Sequence, residues 1–328
     1  MGLRVIEIIA GCGASDTLVE IARKAKVEDV ILGAPAEDGR QPVRLVVGEG
    51  DQQALLDRIQ TAISGTDNWR ILILPVEATI PAPPEEAAAS KPKPFAAGLT
   101  REELYQQVGA GARLDVNYLL LVFLSTVVAA IGLAENSAAV VIGAMVIAPL
   151  LGPFLAFAFA TAIGEHELMF RAIMTSLIGL GFSLALGIAI GFAAPVNLHG
   201  TEITMRTMVG FDSIALALAS GAAAALSLTS GLSSALVGVM VAVALLPPTA
   251  TLGMTLGAGD LARAGGSALL LGVNIVCVTL AGQIVFIAKG IRPRTWFEAQ
   301  KAKRSAWINA GVWLALLACL SLIIFLAR

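Results

Sequence analysis

Charged side chains and histidine are scarce in this chain of 328 residues. Asp, Glu, Lys and Arg together make up 14% of the residues, histidine occurs twice, and the formal net charge is −2. No block of like charge that would bind nucleic acid is present. The sequence also lacks HExxH, GxSxG and GxxxxGK motifs, and His166 and His199 lie in predicted loops without metal-ligand spacing. We therefore expect no enzyme, no cofactor, no metal site and no nucleic-acid partner.

Cysteine is equally rare. Cys12, Cys277 and Cys319 are odd in number and far apart, and two of them lie in apolar segments, so neither a disulfide framework nor a metal cluster is predicted. We interpret all three as small buried hydrophobic residues. The sequence opens without a cationic segment, and the short apolar run 3–10 contains Glu7, which is not the pattern of a secretory leader. The first hundred residues are expected to stay in the cytoplasm.

Apolar residues, in contrast, are abundant. The chain is 57% hydrophobic and its mean hydropathy is +0.82, far outside the range of a soluble globule. Several apolar segments are long enough to cross a hydrocarbon core about 30 Å thick. They are residues 116–134, 137–163, 170–194, 209–229, 232–257, 266–288 and 307–326. The sequence therefore predicts a polytopic α-helical membrane protein of about seven spans, with the lipid bilayer as its first partner.

Two of these segments are interrupted by proline. Residues 143–153 read GAMVIAPLLGP, and residues 238–248, which lie 95 positions later, read GVMVAVALLPP. Proline has no backbone N–H and clashes with the preceding turn, so we expect both segments to be kinked, unwound or re-entrant. Such backbone survives in a membrane only where it is buried in protein or lines a wet cavity.

The same spacing relates longer parts of the chain. Shifting residues 121–164 by 95 positions gives 12 identities in 44 positions. An acidic turn also recurs, with Gly164-Glu165 matched by Gly259-Asp260. Each copy would hold three spans, and an odd number of spans makes two copies inverted in the membrane. The last span would lie outside the repeat.

Basic residues predict the orientation. Cytoplasmic loops of membrane proteins are enriched in Lys and Arg. With the N-terminus inside, the outer connections carry mainly Arg206 and Arg263. The inner connections then carry Arg113, Arg171, Lys289, Arg292, Arg294, Lys301, Lys303 and Arg304. We therefore expect a cytoplasmic N-terminus.

Residues 1–78 are predicted to form a soluble domain. Strand patterns at 3–10, 27–35, 42–48 and 69–77 and helix patterns at 15–26 and 51–64 follow in the order βαββαβ, and Ser15 or Asp16 is expected to cap the first helix. This order is typical of a ferredoxin-like α+β sandwich, with two helices on one face of an antiparallel sheet. The open face needs a partner, either a second copy or the membrane domain, and we expect a homo-oligomer.

Gly11, Cys12 and Gly13 follow the first strand of this domain. The loop resembles those with which small regulatory domains of this fold, such as amino-acid-sensing ones, hold a ligand at a helix N-terminus. An ordinary structural turn is the alternative.

Residues 79–99 are rich in proline and alanine, which predicts an extended linker and a domain boundary. Residues 100–114 begin with Thr100-Arg101-Glu102-Glu103, the spacing of a capping box. They predict a juxtamembrane helix, with an apolar face formed by Leu104, Val108 and Ala112, that lies on the cytoplasmic membrane surface or is simply solvated. Residues 115–328 form the predicted transmembrane domain.

Residues 136–153, NSAAVVIGAMVIAPLLGP, resemble the signature of a bacterial and archaeal membrane family catalogued as a domain of unknown function, number three hundred and eighty-nine. The resemblance covers about residues 110–290, and a small α/β domain precedes this region in members of that family. It implies an integral protein of the bacterial or archaeal cytoplasmic (inner) membrane. It carries over no established substrate.

In a broken helix, freed carbonyls can coordinate a cation and the N-terminal end of the second half attracts an anion. This favours a transporter or channel-like protein for a small solute or ion, regulated by the cytoplasmic domain. The alternative is a membrane-tethered ligand sensor or oligomeric scaffold without transport, in which the prolines only kink helices. The residues expected to bind a solute or ion are Asn136, Ser137, Met145, Pro149, Pro153, Met240, Pro247, Pro248, Thr249 and Asn274.

Acidic residues fall near the predicted ends of spans, where solvation is cheap. Glu135, Glu165, Asp212 and Asp260 are therefore expected to have interfacial roles rather than to couple protons or cations. Asn274 is the deepest polar residue; a helix–helix hydrogen bond, contributing about 0.6 kcal/mol on average, is the alternative to a role in binding.

Overall fold

The structure, a computed structural model, describes residues 3–27, 29–48, 52–76, 79, 99–193, 198–230, 234–291 and 296–326, without the side chains of 234–244 and 296–308. The chain divides into two compact units, Met1–Glu103 and Leu104–Arg328. Almost all of the predicted linker, residues 79–99, lies outside the described residues.

The first unit follows the predicted order of strands and helices. It contains β1 (Arg4–Gly11), a 3₁₀ turn (Cys12–Ala14), α1 (Ser15–Lys24), β2 (Asp29–Leu32), β3 (Arg40–Val47), α2 (Gln52–Ile63) and β4 (Arg70–Pro75). The strands are antiparallel throughout and lie in the order β2-β3-β1-β4. Alternate residues of β1, among them Ile6 and Ile8, are buried in one core with Leu18 of α1 and Leu56 and Ile59 of α2.

Two local predictions in this unit are wrong. Neither Ser15 nor Asp16 caps α1, because the 3₁₀ turn already offers the Cys12 carbonyl to the N–H of Ser15, and Ala14 is the N-cap. β2 is shorter than predicted and ends at Leu32. The chain leaves the strand at the next residue, Gly33, whose N–H donates to the carbonyl of Pro42 at 2.8 Å.

Helix α3 (Arg101–Gly111) begins in the first unit. The predicted capping box is present: the N–H of Thr100 donates to Glu103 Oε2 at 2.7 Å, and the N–H of Glu103 donates to Thr100 Oγ1 at 3.3 Å. Leu104, Val108 and Ala112 are at most 3% exposed. The apolar face of α3 is therefore buried within the protein and is not solvated, and its place at the membrane surface stays a prediction.

Ion pairs fix the start of α3 to the rest of the first unit. Arg4 of β1 donates to Glu103 Oε1 and to Gln52 Oε1, both at 2.9 Å, and the Arg4 side chain is 10% exposed. Arg101 pairs with Asp57 of α2 at 3.1 Å and also with Glu102. Burial raises the pKa of Glu102, but the charge and hydrogen bond of Arg101, together with hydrogen bonds from the Glu102 backbone and Gln53, hold the pKa below its ordinary value.

The second unit is helical in its described part. Its helices are α4 (Val116–Ala134), α5 (Ala138–Ile147), α6 (Leu151–Ile163), α7 (His166–Ala193), α8 (Thr201–Met205), α9 (Phe211–Thr229), α10 (Ser234–Gly257), α11 (Leu261–Ala288) and α12 (Trp296–Leu326). Among the described residues, five helices are long and apolar enough to cross a membrane, or six if the bent pair α5 and α6 forms one span. Such helices are compatible with a multi-pass membrane protein.

Helix bounds recur with the spacing that relates the two proline-containing stretches. Adding 95 to the bounds of α4 gives those of α9, and adding 95 to the bounds of α7 gives those of α11. The turns also agree, because Gly164 and Gly259 both have positive φ, 74° and 80°. Only glycine adopts this conformation routinely.

Glycines allow α7 and α10 to approach closely. Gly187 and Gly191 of α7 are four residues apart, as are Gly253 and Gly257 of α10. A Cβ on Gly253 would lie 2.7 Å from the carbonyl oxygen of Leu184 and 2.8 Å from Gly187 Cα. The two helices are thus in backbone contact through paired GxxxG motifs, the arrangement by which membrane helices associate most closely.

The cysteine prediction is wrong at two of three positions. Cys277 is buried, but Cys12 and Cys319 are exposed. All three are free thiols.

Candidate functional site

The first proline stretch is broken where it was expected to be. α5 ends at Ile147, α6 begins at Leu151, and the two axes differ by 52°. Ala148, between them, is extended, with φ −68° and ψ 123°. Pro149 explains this, because the residue before a proline is driven out of the helical region. Pro149 also has no N–H to offer the carbonyl of Met145, four residues earlier.

The amino end of α6 is covered by another part of the second unit. Its first turn contains no acidic residue and no side-chain cap, and Pro153 occupies the third position, where a missing N–H costs nothing. Gly152 lies against the end of α3: a Cβ on Gly152 would be 2.6 Å from the carbonyl oxygen of Gly111. The carboxyl-terminal end of α3, which carries the negative end of its dipole, thus lies at the amino-terminal end of α6, where an anion would otherwise bind.

The helix continues through the second proline stretch, so the unwound and re-entrant alternatives of the prediction are wrong there. α10 is assigned as one helix of 24 residues with Pro247 and Pro248 inside it. The adjacent prolines leave only the carbonyls of Val243 and Ala244 without their usual donors, within a single turn. Thr249 follows at once and donates its hydroxyl to the carbonyl of Leu245 at 2.7 Å. Burial of the prolines and the residues around them on α10 holds the helix together.

The helices that contain the two proline stretches are in contact. α10 packs against α4, α5, α6, α7, α9 and α11. Met145, Pro153, Pro247, Pro248 and Thr249 are all buried. The side chain of Met240 lies outside the described part of α10.

Other predicted binding residues lie elsewhere. Asn136 is exposed in the turn after α4, has φ +55°, and accepts a hydrogen bond from the N–H of Glu202 at 2.8 Å. Ser137 is the half-buried N-cap of α5 and makes no side-chain cap. Asn274 is 6% exposed in the middle of α11. Met145, Pro153, Pro247, Pro248 and Thr249 therefore lie inside the protein, whereas Asn136 is exposed in a turn.

Gly11, Cys12 and Gly13 belong to the first unit. The N–H and the thiol of Cys12 both approach the carbonyl oxygen of Gly39, each at 3.1 Å. The loop is thereby tied to the turn between β2 and β3. Its own backbone donor at Cys12 is already used.

Three buried hydroxyl groups stand outside the residues that were expected to bind a solute or ion. Thr251, Ser267 and Thr279 are at most 1% exposed, and their hydroxyls make no hydrogen bond among the described residues. All three lie on α10 and α11. Their counterparts 95 positions earlier are Ala156, Ala172 and Leu184. Comparing the two copies position by position would have found them, since polar residues occur in the second copy where the first is apolar.

The acidic residues lie at helix ends. Glu135, Glu165 and Asp212 flank or open helices, and Glu135 and Asp212 are exposed. Asp260 is the N-cap of α11 and accepts from the N–H of Arg263 at 3.0 Å. That hydrogen bond and the Arg263 side chain hold the pKa of Asp260 below its ordinary value. Arg263 also donates to His199 Nδ1 at 3.0 Å, so this nitrogen accepts.

The comparisons with known proteins agree with this description. The profile of the family described as "Domain of unknown function (DUF389)" matches residues 145–280. An uncharacterized protein of Methanocaldococcus jannaschii is 33% identical over 266 residues, which cover 81% of this chain and 82% of that protein. No solved structure matches the chain significantly. The matched region contains the end of α5, the break, α6 and the proline turn of α10, and the relative extends the match over most of the chain. The chain therefore belongs to the DUF389 family of unknown function.

Proposed function

We propose that this protein is a transporter or channel-like protein for a small solute or ion, with a cytoplasmic regulatory domain and no enzymatic activity. Its membrane part consists of two inverted three-span repeats, α4 to α7 and α9 to α11, followed by α12 as a seventh span. It resides in the bacterial or archaeal cytoplasmic membrane with its N-terminus inside. The observation that carries the proposal is an exchange of contacts between the two repeats.

The exchange is clearest at the glycines. Gly187 of α7 packs against Gly253 of α10, with its Cβ position 3.0 Å from Gly253 Cα. The residues 95 positions away from each, Gly282 and Ala158, also pack together, with the Cβ position of Gly282 3.3 Å from Ala158 Cβ. A contact between a residue of the first repeat and a residue of the second thus recurs between their counterparts, with the two repeats exchanged.

A second pair repeats the exchange. Gly191 of α7 lies against the main chain of Met254 in α10. Their counterparts, Phe286 and Phe159, pack edge to face with ring centroids 5.5 Å apart. When two repeats are related by a two-fold axis, each contact from the first repeat to the second must also occur from the second to the first. The exchanged contacts therefore support a two-fold relation.

The directions of the helices support inversion. α6 and α7 are joined by a tight turn, and Leu150 of the first stretch lies beside Gly179, which makes them antiparallel. α7 and α10 run the same way, since Gly187 meets Gly253 and Phe192 meets Gly257. α6 and its counterpart α10 are therefore antiparallel. Inverted repeats with a broken helix near the midplane are typical of secondary transporters.

The freed backbone groups favour a cation or a neutral solute over an anion. Proline removes donors, so Pro149, Pro247 and Pro248 leave carbonyl oxygens, which are acceptors. The buried hydroxyls of Thr251, Ser267 and Thr279 add neutral oxygens. Between 116 and 291 the charged residues lie at or near helix ends or in connections, so the described spans offer no buried cation for an anion.

The first unit suits a regulatory role. An antiparallel sheet in the order β2-β3-β1-β4 with α1 and α2 on one face supports a ferredoxin-like sandwich. α3 begins in this unit and continues into the second, where Gly111 lies against Gly152 at the start of α6.

Cysteine labelling in intact cells tests the inverted topology. The exposed residues His166 and Leu261, which begin α7 and α11, are counterparts 95 positions apart. In a background with Cys12→Ser and Cys319→Ser, His166→Cys should react with a membrane-impermeant maleimide only after the cells are opened. Leu261→Cys should react in intact cells. Labelling of both from the same side contradicts the inversion.

Flux through reversible crosslinks tests transport itself. Gly282→Cys with Ala158→Cys would join the two repeats, whereas Thr126→Cys with Ser183→Cys, whose hydroxyls are 2.9 Å apart, would join two helices of one repeat. Purified protein in liposomes is assayed with alkali cations, ammonium and neutral polyols. We expect the first crosslink to stop flux until a reductant is added, and the second to leave it unchanged.

The opposite results favour the alternative. If reduced, folded protein carries none of these solutes, the spans act as a tether or scaffold and the first unit as the sensor. If both crosslinks leave flux intact, movement between the repeats is not the mechanism.

A further inference from the structure

One face of the four-stranded sheet in the first unit is not covered by its helices. α1 and α2 bury alternate residues such as Ile6, Ile8 and Leu45 on one side. The other side presents the residues between them, and the strand register places four of these in one row across the sheet. From β2 to β4 that row is Ile31, Arg44, Glu7 and Leu72. We call this side the open face.

The row is apolar at its two ends and charged at its centre. Ile31 is 53% exposed, Leu72 36% and Leu74 49%. Arg44 and Glu7 pair at 2.7 Å in the middle of the row. Exposed apolar side chains that flank a charged pair on an uncovered sheet face are typical of an interaction site.

We propose that the open face binds the open face of a second copy of this chain, about a two-fold axis that runs parallel to the strands and passes between β1 and β3. This operation places Arg44 opposite the partner's Glu7, and Glu7 opposite the partner's Arg44. Ile31 then meets the partner's Leu72, and Leu72 meets the partner's Ile31. The axis reverses the order of the row in the partner, so apolar residues face apolar residues and opposite charges face each other, as a symmetric interface requires.

Two sheets could also meet face to face about an axis perpendicular to the strands, and the charges favour the parallel axis over that one. A two-fold axis perpendicular to the strands would place Arg44 opposite the partner's Arg44 and Glu7 opposite the partner's Glu7. Like charges facing each other across an interface cost several kcal/mol. Sheets about 10 Å apart, packed with strands within about 30° of each other, leave room for the apolar side chains to interdigitate.

A charge swap on the full-length protein tests this surface without disturbing the fold. The double variant Glu7→Lys with Arg44→Glu keeps the ion pair within its own sheet. Paired with itself, it also keeps opposite charges across the interface. Paired with the wild type, it faces Lys against Arg and Glu against Glu.

Two differently tagged copies are co-expressed, solubilised in mild detergent and purified through one tag, and the other tag is quantified. We expect the double variant to co-purify with itself as the wild type does, and to co-purify with the wild type about tenfold less or worse. Lys24→Glu on α1, which breaks an exposed ion pair with Glu20 away from the open face, should co-purify with the wild type normally.

Equal co-purification of the double variant with itself and with the wild type overturns the proposal, since copies would then associate through another surface or the spans. Failure of wild-type copies to co-purify with each other also overturns it. The inference rests on the sheet alone, so a protein without flux in liposomes leaves it untouched.

Discussion

Two glycine-to-alanine substitutions in the second unit should change stability in opposite directions. Gly253 lies in the contact between α10 and α7, where a new Cβ would be 2.7 Å from the carbonyl oxygen of Leu184 and 2.8 Å from Gly187 Cα. Both atoms are backbone, and ordinary contact begins near 3.4 Å, so the helices must part by about 0.7 Å. Gly181 lies on α7, six residues before Gly187, and nothing lies within 4 Å of its Cβ position.

The magnitudes follow from two effects. Alanine in place of glycine inside a helix stabilises by about 0.5–1 kcal/mol, because the unfolded chain loses freedom. Overpacking a well-packed contact destabilises by about 1–3 kcal/mol. Gly181→Ala has only the first effect and should be stabilising. Gly253→Ala has both, and the second is larger, so it should be destabilising.

Reversible unfolding in mixed micelles by titration with sodium dodecyl sulfate measures both variants against the wild type. The counterpart of Gly253 is Ala158, which already carries a Cβ 3.3 Å from the Cβ position of Gly282, so that contact tolerates a methyl group where the α7–α10 contact does not. The reasoning is refuted if Gly253→Ala is as stable as Gly181→Ala, because the paired GxxxG motifs would then not be in backbone contact.

Three further predictions concern single side chains. Glu103→Ala removes the carboxylate that pairs with Arg4 and should destabilise the first unit by about 3 kcal/mol; hydrogen exchange of β1 in the full-length protein measures this, and unchanged protection contradicts it. The pKa of Glu102 is lower in the folded protein than the ordinary 4.5. The unfolded chain therefore binds more protons as pH falls, so Glu102 contributes stability above about pH 4.5 that is lost as pH falls through its folded pKa, and Glu102→Gln should flatten this part of the stability–pH curve. Thr251→Val replaces a buried hydroxyl without a hydrogen-bond partner by a methyl group and should be neutral or stabilising, whereas Thr126→Val breaks a bond to Ser183 and should cost about 1 kcal/mol; thermal unfolding compares the two, and equal effects would argue against the assigned partners.

Much of the architecture could be predicted from the sequence because it depends on local pattern. The predicted bounds 116–134 are those of α4, since an uninterrupted apolar run flanked by Asp115 and Glu135 has only one place to begin and end. The order of elements in the first unit followed from alternation in strands and amphipathic spacing in helices. The capping box at Thr100 was correct for the same reason.

The errors arose where tertiary contacts override local preference. Pro149 breaks its segment but Pro247 and Pro248 do not break theirs, although all three lack an N–H. The difference lies in what surrounds each turn, which the sequence of the turn does not contain. Likewise Leu104, Val108 and Ala112 form an apolar stripe that could face lipid or protein, and only the packed structure decides that it faces protein.

The binding residues were the hardest to predict. Asn136 lies within the family-like signature, yet it is an exposed turn residue bonded to Glu202. Thr251, Ser267 and Thr279 carry no motif, so only their burial without hydrogen-bond partners draws attention to them.

The sequence by itself determined that this is a helical membrane protein with a small N-terminal α/β unit, because hydropathy and residue periodicity are properties of short segments. It also determined the spacing of 95 residues, which a linear comparison can detect. Only the tertiary structure decided which residues meet. The pairing of Gly187 with Gly253 and of Gly282 with Ala158, the contact of Gly111 with Gly152, and the row across the open face all join residues that are distant in sequence, and such contacts depend on the packing of whole elements.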